Sequence, residues 1–428
     1  MTVLNRRSLL SLAGASAASM LLPGCSGGGN SGSGTQTVNW WHISNQDPML
    51  TVWASLAKEY ESTHLGVKIN ITPLENEAFK AKLTTVTQAG NPPDIFHSWG
   101  GGVLKQQKDA GLVKDITSDT SSWIGTLLPA SVGPYQVDGK QYGLPFDLGL
   151  VGFWYNKDLF TKAGIAAPPS TWDDFLNAVG RLKASGVAPL ALAGADKWPG
   201  HYYWAYLAMR VAGLDGLKQA AIDKSFDKPE FVQAGRLLKE LVGLQPFQKG
   251  FLGVKYDTPD GQAATVGNGT AAMELMGQWA PSVQKSSSNS KTGLGDKLGF
   301  FTFPSVKDGK GKATDAFGGG NGFAIGRNAP PAAIDFVKFL LSVENQQKAA
   351  VTDSIVPITK GAETALQDPN LKAVSKALGA ATGYQLYLDQ AYPPAVGQQV
   401  NDSVAELIAG KASPEQVTSA ITKVAKSQ

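Results

Sequence analysis

Trp41, His42 and Asn45 stand close together early in the chain, and similar groupings of aromatic, amide and carboxylate residues recur along it. Glu75-Asn76, Trp99 followed by Gly100-Gly101-Gly102, and Asp147 after Pro145-Phe146 continue the series. Then come the aromatic run Trp198-Pro199-Gly200-His201-Tyr202-Tyr203-Trp204, the segment Met276-Gly277-Gln278-Trp279, and Gly318-Gly319-Gly320-Asn321. Tyr384, Tyr387 and Tyr392 surround Asp389. Such residues suit a polar but uncharged ligand, a sugar above all. Flat rings bury the apolar C–H faces of a pyranose at low entropic cost. Carboxylates accept from two hydroxyls at once with charge-assisted strength. A glycine turn lets backbone N–H groups approach closely.

Simpler roles compete at each place. Any single tryptophan here could be core, the run 198–204 could be helix packing, Glu75-Asn76 a helix cap, and glycines 318–320 only a turn. Recurrence at strand ends favours the ligand reading. Metal and nucleophile chemistry find less support. The four histidines (42, 64, 97 and 201) lack zinc-ligand spacing. Neither a Gly-x-Ser-x-Gly elbow nor a phosphate-binding Gly-x-x-x-x-Gly-Lys-Ser/Thr loop is present. Gly318–Gly322 precedes a strand instead of opening a helix, so it is no dinucleotide fingerprint. A glycoside hydrolase or lyase needs only two suitably placed carboxylates, and Glu75, Asp147 and Asp389 leave that alternative open. A surface adhesin for a polymer is a third.

The elements that would position these residues alternate. Val38–Ile43 reads as a strand, Pro48 opens a helix through Tyr60, and Val67, Ile69 and Ile71 alternate as a second strand. Phe79, Leu83 and Val86 share a helical face, and Pro93–His97 is a short strand ending at Trp99. That is the rhythm of an open α/β sheet, in which ligands sit at the carboxyl ends of strands. The alternation resumes with a strand over 150–155 and a helix capped by Thr171 with Asp174, whose apolar face is Trp172, Phe175, Leu176, Val179 and Leu182. Further helices are expected at 229–241, 332–341 and 413–425, the last opened by a Ser413/Gln416 capping box.

Charge is near balance, 38 Lys+Arg against 35 Asp+Glu, and no basic stretch suggests nucleic acid. The chain of 428 residues exceeds one comfortable core, so two domains are expected. Its single cysteine, Cys25, ends Leu22-Pro23-Gly24-Cys25. Upstream, Arg6-Arg7 and an apolar small-residue run have the layout of a secretory signal, too short for a membrane span. Arg6-Arg7-Ser8-Leu9-Leu10 also fits a twin-arginine export signal. Downstream, Ser26–Gly34 reads as a flexible tether. The ending resembles the lipobox of bacterial lipoproteins, which implies cleavage before Cys25 and lipidation of its sulfur.

Several longer segments carry a family resemblance: Val38-Asn39-Trp40-Trp41-His42, Asn91-Pro92-Pro93-Asp94-Ile95, Asp109-Ala110-Gly111-Leu112-Val113, Tyr142-Gly143-Leu144-Pro145 and Tyr155-Asn156-Lys157-Asp158-Leu159-Phe160. Pro169-Ser170-Thr171-Trp172-Asp173-Asp174-Phe175 and Gly269-Thr270-Ala271-Ala272-Met273 complete the set. The chain resembles the extracellular solute-binding proteins of bacterial ABC importers, the sugar-binding family that includes the maltose-binding protein. The resemblance implies an α/β fold of type II periplasmic-binding-protein kind. Each of its two lobes would have a central sheet flanked by helices, joined by a hinge that closes on the ligand. It places a signal peptide at 1–24 and a lipidated cysteine with tether at 25–35. Lobe one would be 36–146 plus 304–356, and lobe two 147–303 plus 357–428. Crossings would fall near Leu144–Phe146, Phe303-Pro304 and Val356-Pro357.

The same resemblance assigns ligand contacts to Trp41, Asn45, Glu75, Asn76, Trp99, Asp147, Trp198, His201, Trp279, Asn321, Tyr384 and Tyr387, with Trp279 as the stacking ring. It implies no catalysis, no cofactor and no metal. The implied partners are an oligosaccharide, a permease dimer and its cytoplasmic ATPase, and the membrane through the lipid alone. The chain would act as a monomer at the extracellular face. A shortage of charge on the lobe-one loops favours a short sugar, and the resemblance looks closest to receptors for β-linked disaccharides such as xylobiose, cellobiose or chitobiose.

Overall fold

A computed structural model describes residues Thr35–Gln428; the leader, Cys25 and the tether expected before Thr35 lie outside the described residues. Two main sheets organise the chain. The first has five strands in the order Val67–Pro73, Gln36–His42, Ile95–Ser98, Gly322–Ile325 and Gly143–Pro145. The first three are parallel, and Gly322–Ile325 runs antiparallel to both of its neighbours. The second has four strands in the order Leu298–Phe301, Gly152–Asn156, Ala271–Met276 and Ala188–Leu190.

Strand alternation decides what each residue faces. Trp40 is fully buried and meets Trp53, Phe336 and Phe323 edge-on at 5.6, 5.4 and 5.8 Å. Its neighbour Trp41 points to the opposite face, beside Phe79 and Leu83. In the second lobe the Trp172–Ala184 helix buries Trp172, Phe175, Val179 and Leu182 against the sheet, with Ala178 among them. Leu176, expected on that face, is only half-buried because it falls at its edge. Thr171 accepts from the Asp174 N–H, and Ser413 forms a reciprocal capping box with Gln416.

Each sheet has its own apolar core: Val38, Trp40, Ile95 and Phe336 belong to one, and Phe153, Phe175, Met273 and Leu407 to the other. The strands that join them are closely laced. Phe146 N donates to Asn321 O at 2.7 Å, Gly149 N to Gly319 O at 2.9 Å, Val151 N to Phe317 O at 2.9 Å and Leu148 N to Val356 O at 3.1 Å. A Cβ on Gly318 or Gly320 would run into the carbonyl oxygen of Gly149 or Asp147, and one on Gly319 into the Tyr387 ring. The glycine run lets these strands touch backbone to backbone.

Two expected crossings lie elsewhere. Residues 304–318 stay with the second lobe, because the buried Arg210 guanidinium donates to the carbonyls of Phe303, Pro304, Ala313 and Asp315. Asp315–Gly318 then pairs with Gly383–Leu386. The chain returns to the first lobe at the glycine run, not at Phe303-Pro304. It also leaves that lobe later than Pro357: Leu128 N donates to Ile358 O, Lys360 N to Thr126 O, and Thr359 Oγ1 to Leu341 O. Leu366 and Leu371 are the first residues thereafter in the second core. No helix among the described residues is long and apolar enough to cross a membrane.

Candidate functional site

A cavity of about 200 Å³ lies between the two sheets, lined from both lobes and from the crossing strands. Its first-lobe side comes from the carboxyl ends of the parallel strands. The loop after Gln36–His42 supplies Asn45 and Gln46, the turn after Val67–Pro73 supplies Asn76, and Trp99 follows Ile95–Ser98. The second lobe supplies a continuous aromatic wall. Trp279 meets Tyr387 edge-on at 6.3 Å, and Tyr387 stacks on Tyr202 at 5.5 Å. Tyr202 lies 5.6 Å from Trp198, which meets Tyr256 at 5.4 Å. Trp198 and Tyr202 are one turn apart on the Trp198–Asp223 helix, so both reach the same face.

Asp147 sits at the back, where the strands cross. Its carboxylate is 1% exposed and accepts from the Asn321 amide and the Gln278 amide, each at 2.8 Å, and from the Asn321 N–H. Burial pushes its pKa up to about 7, against the downward pull of those hydrogen bonds. His97 is lowered to about 3 by burial and by His42 nearby, and His42 is lowered to about 4 by burial. Both imidazoles are neutral at physiological pH. Burial and the nearby Glu75 raise Asp257. Asp47, Asp147, Asp257 and Asp389 line the cavity with Lys80 as the single cation among its lining residues, and Lys80 is held by Glu77 at 3.0 Å. That balance disfavours an anionic solute. The amide oxygen of Asn76 and the hydroxyl of Tyr387 have no partner among the described residues.

The two lobes touch across the cleft. Gln46 Nε2 donates to the Asp257 carbonyl at 3.0 Å, and Ser286 Oγ donates to Gln46 Oε1 at 2.6 Å. Gly101 and Gly102 rest against the backbone carbonyls of Gln390 and Ala391–Tyr392, an approach that a Cβ at either position would block. Gly101 and Gly102 thus serve contact between lobes, while Gly100 packs on Pro134 within the first.

Of the residues expected here, Asn45, Asn76, Trp99, Asp147, Trp198, Trp279, Asn321 and Tyr387 line the cavity. Four do not. Trp41 lies on the far face of its strand under the Lys82 ammonium, 4.2 Å from the ring centre. Glu75 caps the Asn76–Gln88 helix, accepting from the Glu77 and Ala78 N–H groups at 3.1 Å. His201 is fully buried behind the wall against Tyr202 and Phe317, and burial lowers its pKa. Tyr384 donates its hydroxyl to the Gly149 carbonyl at 2.7 Å, bracing the crossing strands. Sequence reasoning did not assign Gln46, Lys80, His97, Tyr202, Tyr256 or Asp257 to the site. The helical spacing from Trp198 could have found Tyr202; Tyr256 and Asp257 lie in an irregular segment that offers no such signal.

Comparison with known proteins places this geometry. The chain matches the family described as bacterial extracellular solute-binding protein over residues 25–347. It is 26% identical to an uncharacterised ABC transporter extracellular-binding protein of Pyrococcus horikoshii, over 99% of this chain and 97% of that one. It is 26% identical to the diacetylchitobiose binding protein DasA of Streptomyces coelicolor, over 83% of this chain and 80% of that one. Among solved structures, a chitin oligosaccharide binding protein superimposes with a TM-score of 0.83 at 28% identity, over 92% of this chain and 98% of that one. A structure from work on xylan utilization by Caldanaerobius polysaccharolyticus gives 0.83 at 26% identity, over 90% and 99%. The fold is therefore the two-lobed type II arrangement of periplasmic binding proteins, and the hydrolase alternative falls with the match to a family of binders. The chain belongs to the bacterial extracellular solute-binding proteins, and it is a binding protein, not an enzyme.

Proposed function

We propose that this protein is the sugar-capturing component of an ABC importer, closing its lobes on a short neutral oligosaccharide. The observation that carries the reading is the cavity itself. The aromatic wall of Trp279, Tyr387, Tyr202 and Trp198 faces the Asn45, Gln46 and Asn76 amides of the first lobe, with Asp147 and Asn321 at the crossing between them. Rings take the apolar faces of the sugar, and Asn45, Asn76, Asn321 and Asp147 take hydroxyls. The excess of carboxylates over cations favours a sugar without acid groups. A β-linked ligand of the xylobiose, cellobiose or chitobiose kind is supported by the relatives named for diacetylchitobiose and chitin oligosaccharides.

In this reading the lobes hinge where 146–151 and 317–321 run together, and the liganded, closed form docks on a permease dimer driven by a cytoplasmic ATPase. The chain works as a monomer, held at the outer membrane surface by lipid on Cys25 and the tether after it. The test is thermal unfolding of the tether-free protein against a panel of mono- and oligosaccharides. A ligand at 100 times its Kd stabilises the native state by about 2.7 kcal/mol. A rise with one related series, recovered uncleaved, is the expected result; no rise with any sugar would overturn the reading.

A further inference from the structure

The cavity is bridged at one end and shares a wall with a larger hollow at the other. Gln46, Asp257 and Ser286 bridge the first end. At the second, Lys80, Trp99, Trp198, Asp389 and Gln390 line both the cavity and a hollow of about 880 Å³. The hollow lies between the Asn76–Gln88 and Gly101–Asp109 helices of the first lobe and the start of the Pro394–Ile408 helix of the second. Trp99 and Trp198, one from each lobe, belong to the wall that the two spaces share. We infer that the ligand is longer than a disaccharide: its terminal unit sits in the inner cavity, and the chain runs between Trp99 and Trp198 into the outer hollow. The inference rests on the sugar reading above and adds to it the length and direction of the ligand.

Size is the first reason. Small-molecule sites commonly enclose about 300–1,000 Å³, and the inner cavity of about 200 Å³ falls below that range. Taken together with the outer hollow it does not. The second reason is unpartnered polarity. The buried amide oxygen of Gln107, which lines the hollow from the first lobe, has no partner among the described residues. Across the hollow, Asn401 is 6% exposed, donates its amide to Asp389 at 3.3 Å and turns its oxygen towards the buried His201 ring. Buried acceptors without donors are rare and costly, and sugar hydroxyls donate. The third reason is the character of the remaining lining. Thr84, Gln88, Gln106 and Gln398 add amides and a hydroxyl, and Glu77, Asp196, Lys197 and Arg327 add charge of both signs, which fits a neutral chain of hydroxyls better than an apolar tail.

The test is calorimetric titration of the tether-free protein with xylo-, cello- and chito-oligosaccharides of two to five units. Within the series that binds, affinity is expected to rise at least tenfold from two units to four. Gln107→Ala and Asn401→Ala are each expected to bring the ratio of disaccharide to tetrasaccharide Kd down towards one. Gln107 is half-buried, so its variant keeps the test open should Asn401→Ala fail to fold. Equal affinity for two and four units in the parent protein would overturn this inference while leaving the sugar reading intact. A length gain that neither folded variant diminishes would also overturn it. No binding across all three series would overturn the β-linked reading and this inference together, an outcome distinct from equal affinity for two and four units, which overturns the inference alone.

Discussion

Asp147→Asn isolates the cost of burying a carboxylate at the crossing of the lobes. The folded-state pKa of about 7 stands against an ordinary 3.8. The gap of about three units, at ~1.4 kcal/mol each, amounts to about 4 kcal/mol of stability. The folded state holds the proton more tightly than the unfolded chain does. Stability is therefore full below the unfolded value and is lost as pH rises from there through the folded value. Asparagine keeps the shape and abolishes the titration. Its carbonyl can take the Oδ1 place and accept from the Asn321 N–H, and its NH₂ then stands in the Oδ2 place, where the side-chain amides of Gln278 and Asn321 meet it once each turns over to present its oxygen.

The expectation is that the variant gains about 3 kcal/mol on the parent between pH 5 and pH 8. Glu274, raised to about 7 by its burial, and Asp196, raised to about 6, titrate in both proteins and cancel in the difference. Urea unfolding of both proteins without sugar at pH 5, 6, 7 and 8 measures it. A stability difference constant to within about 0.5 kcal/mol over that range would refute the claim that this carboxylate is held against its ionisation.

Other substitutions separate binding from folding. Trp279→Ala should weaken sugar affinity about tenfold or more, through loss of a stacked ring, with an unchanged melting temperature for the sugar-free protein; unchanged affinity would remove Trp279 from the site. Glu75→Ala should cost about 1 kcal/mol of stability through loss of the helix cap and leave the calorimetric Kd as it was. Gly319→Ala drives a methyl into the Tyr387 ring, and overpacking of this kind costs about 1–3 kcal/mol, so melting temperature and affinity should fall together. Cys25→Ser should move the protein from the membrane fraction to the medium in the native host; retention at the membrane would argue against a lipid anchor.

Much of the architecture was legible because periodicity reports burial. Val67, Ile69 and Ile71 announced a strand, and Trp172, Phe175 and Val179 a helix face. The cavity was legible where its lining residues follow strands, as with Asn45, Trp99 and Trp279. It failed where the same residue types do structural work. Glu75 looks like a hydroxyl acceptor and is a cap, since a carboxylate serves free N–H groups as readily as sugar hydroxyls. Trp41 follows a buried tryptophan, and only the parity of the strand sends it away from the cleft. His201 lies within an aromatic run that is buried almost throughout, so local density could not tell wall from core. The lobe boundaries slipped for a different reason. Phe303-Pro304 looks like a hinge locally, and what holds 304–318 in place comes from far along the chain: the Arg210 guanidinium, backbone bonds with Ser170, Trp172 and Val211, and pairing with Gly383–Leu386.

The two separate cores have a calorimetric consequence. Lobes joined by a few laced strands and little shared apolar packing form two cooperative units, each with its own enthalpy and midpoint. Ligand seated between them is bound only while both are folded, so its linkage free energy falls on whichever lobe would melt first. Saturation should therefore draw two heat-absorption peaks together as well as raise them. The merging of transitions would report that one molecule of ligand is gripped from both sides.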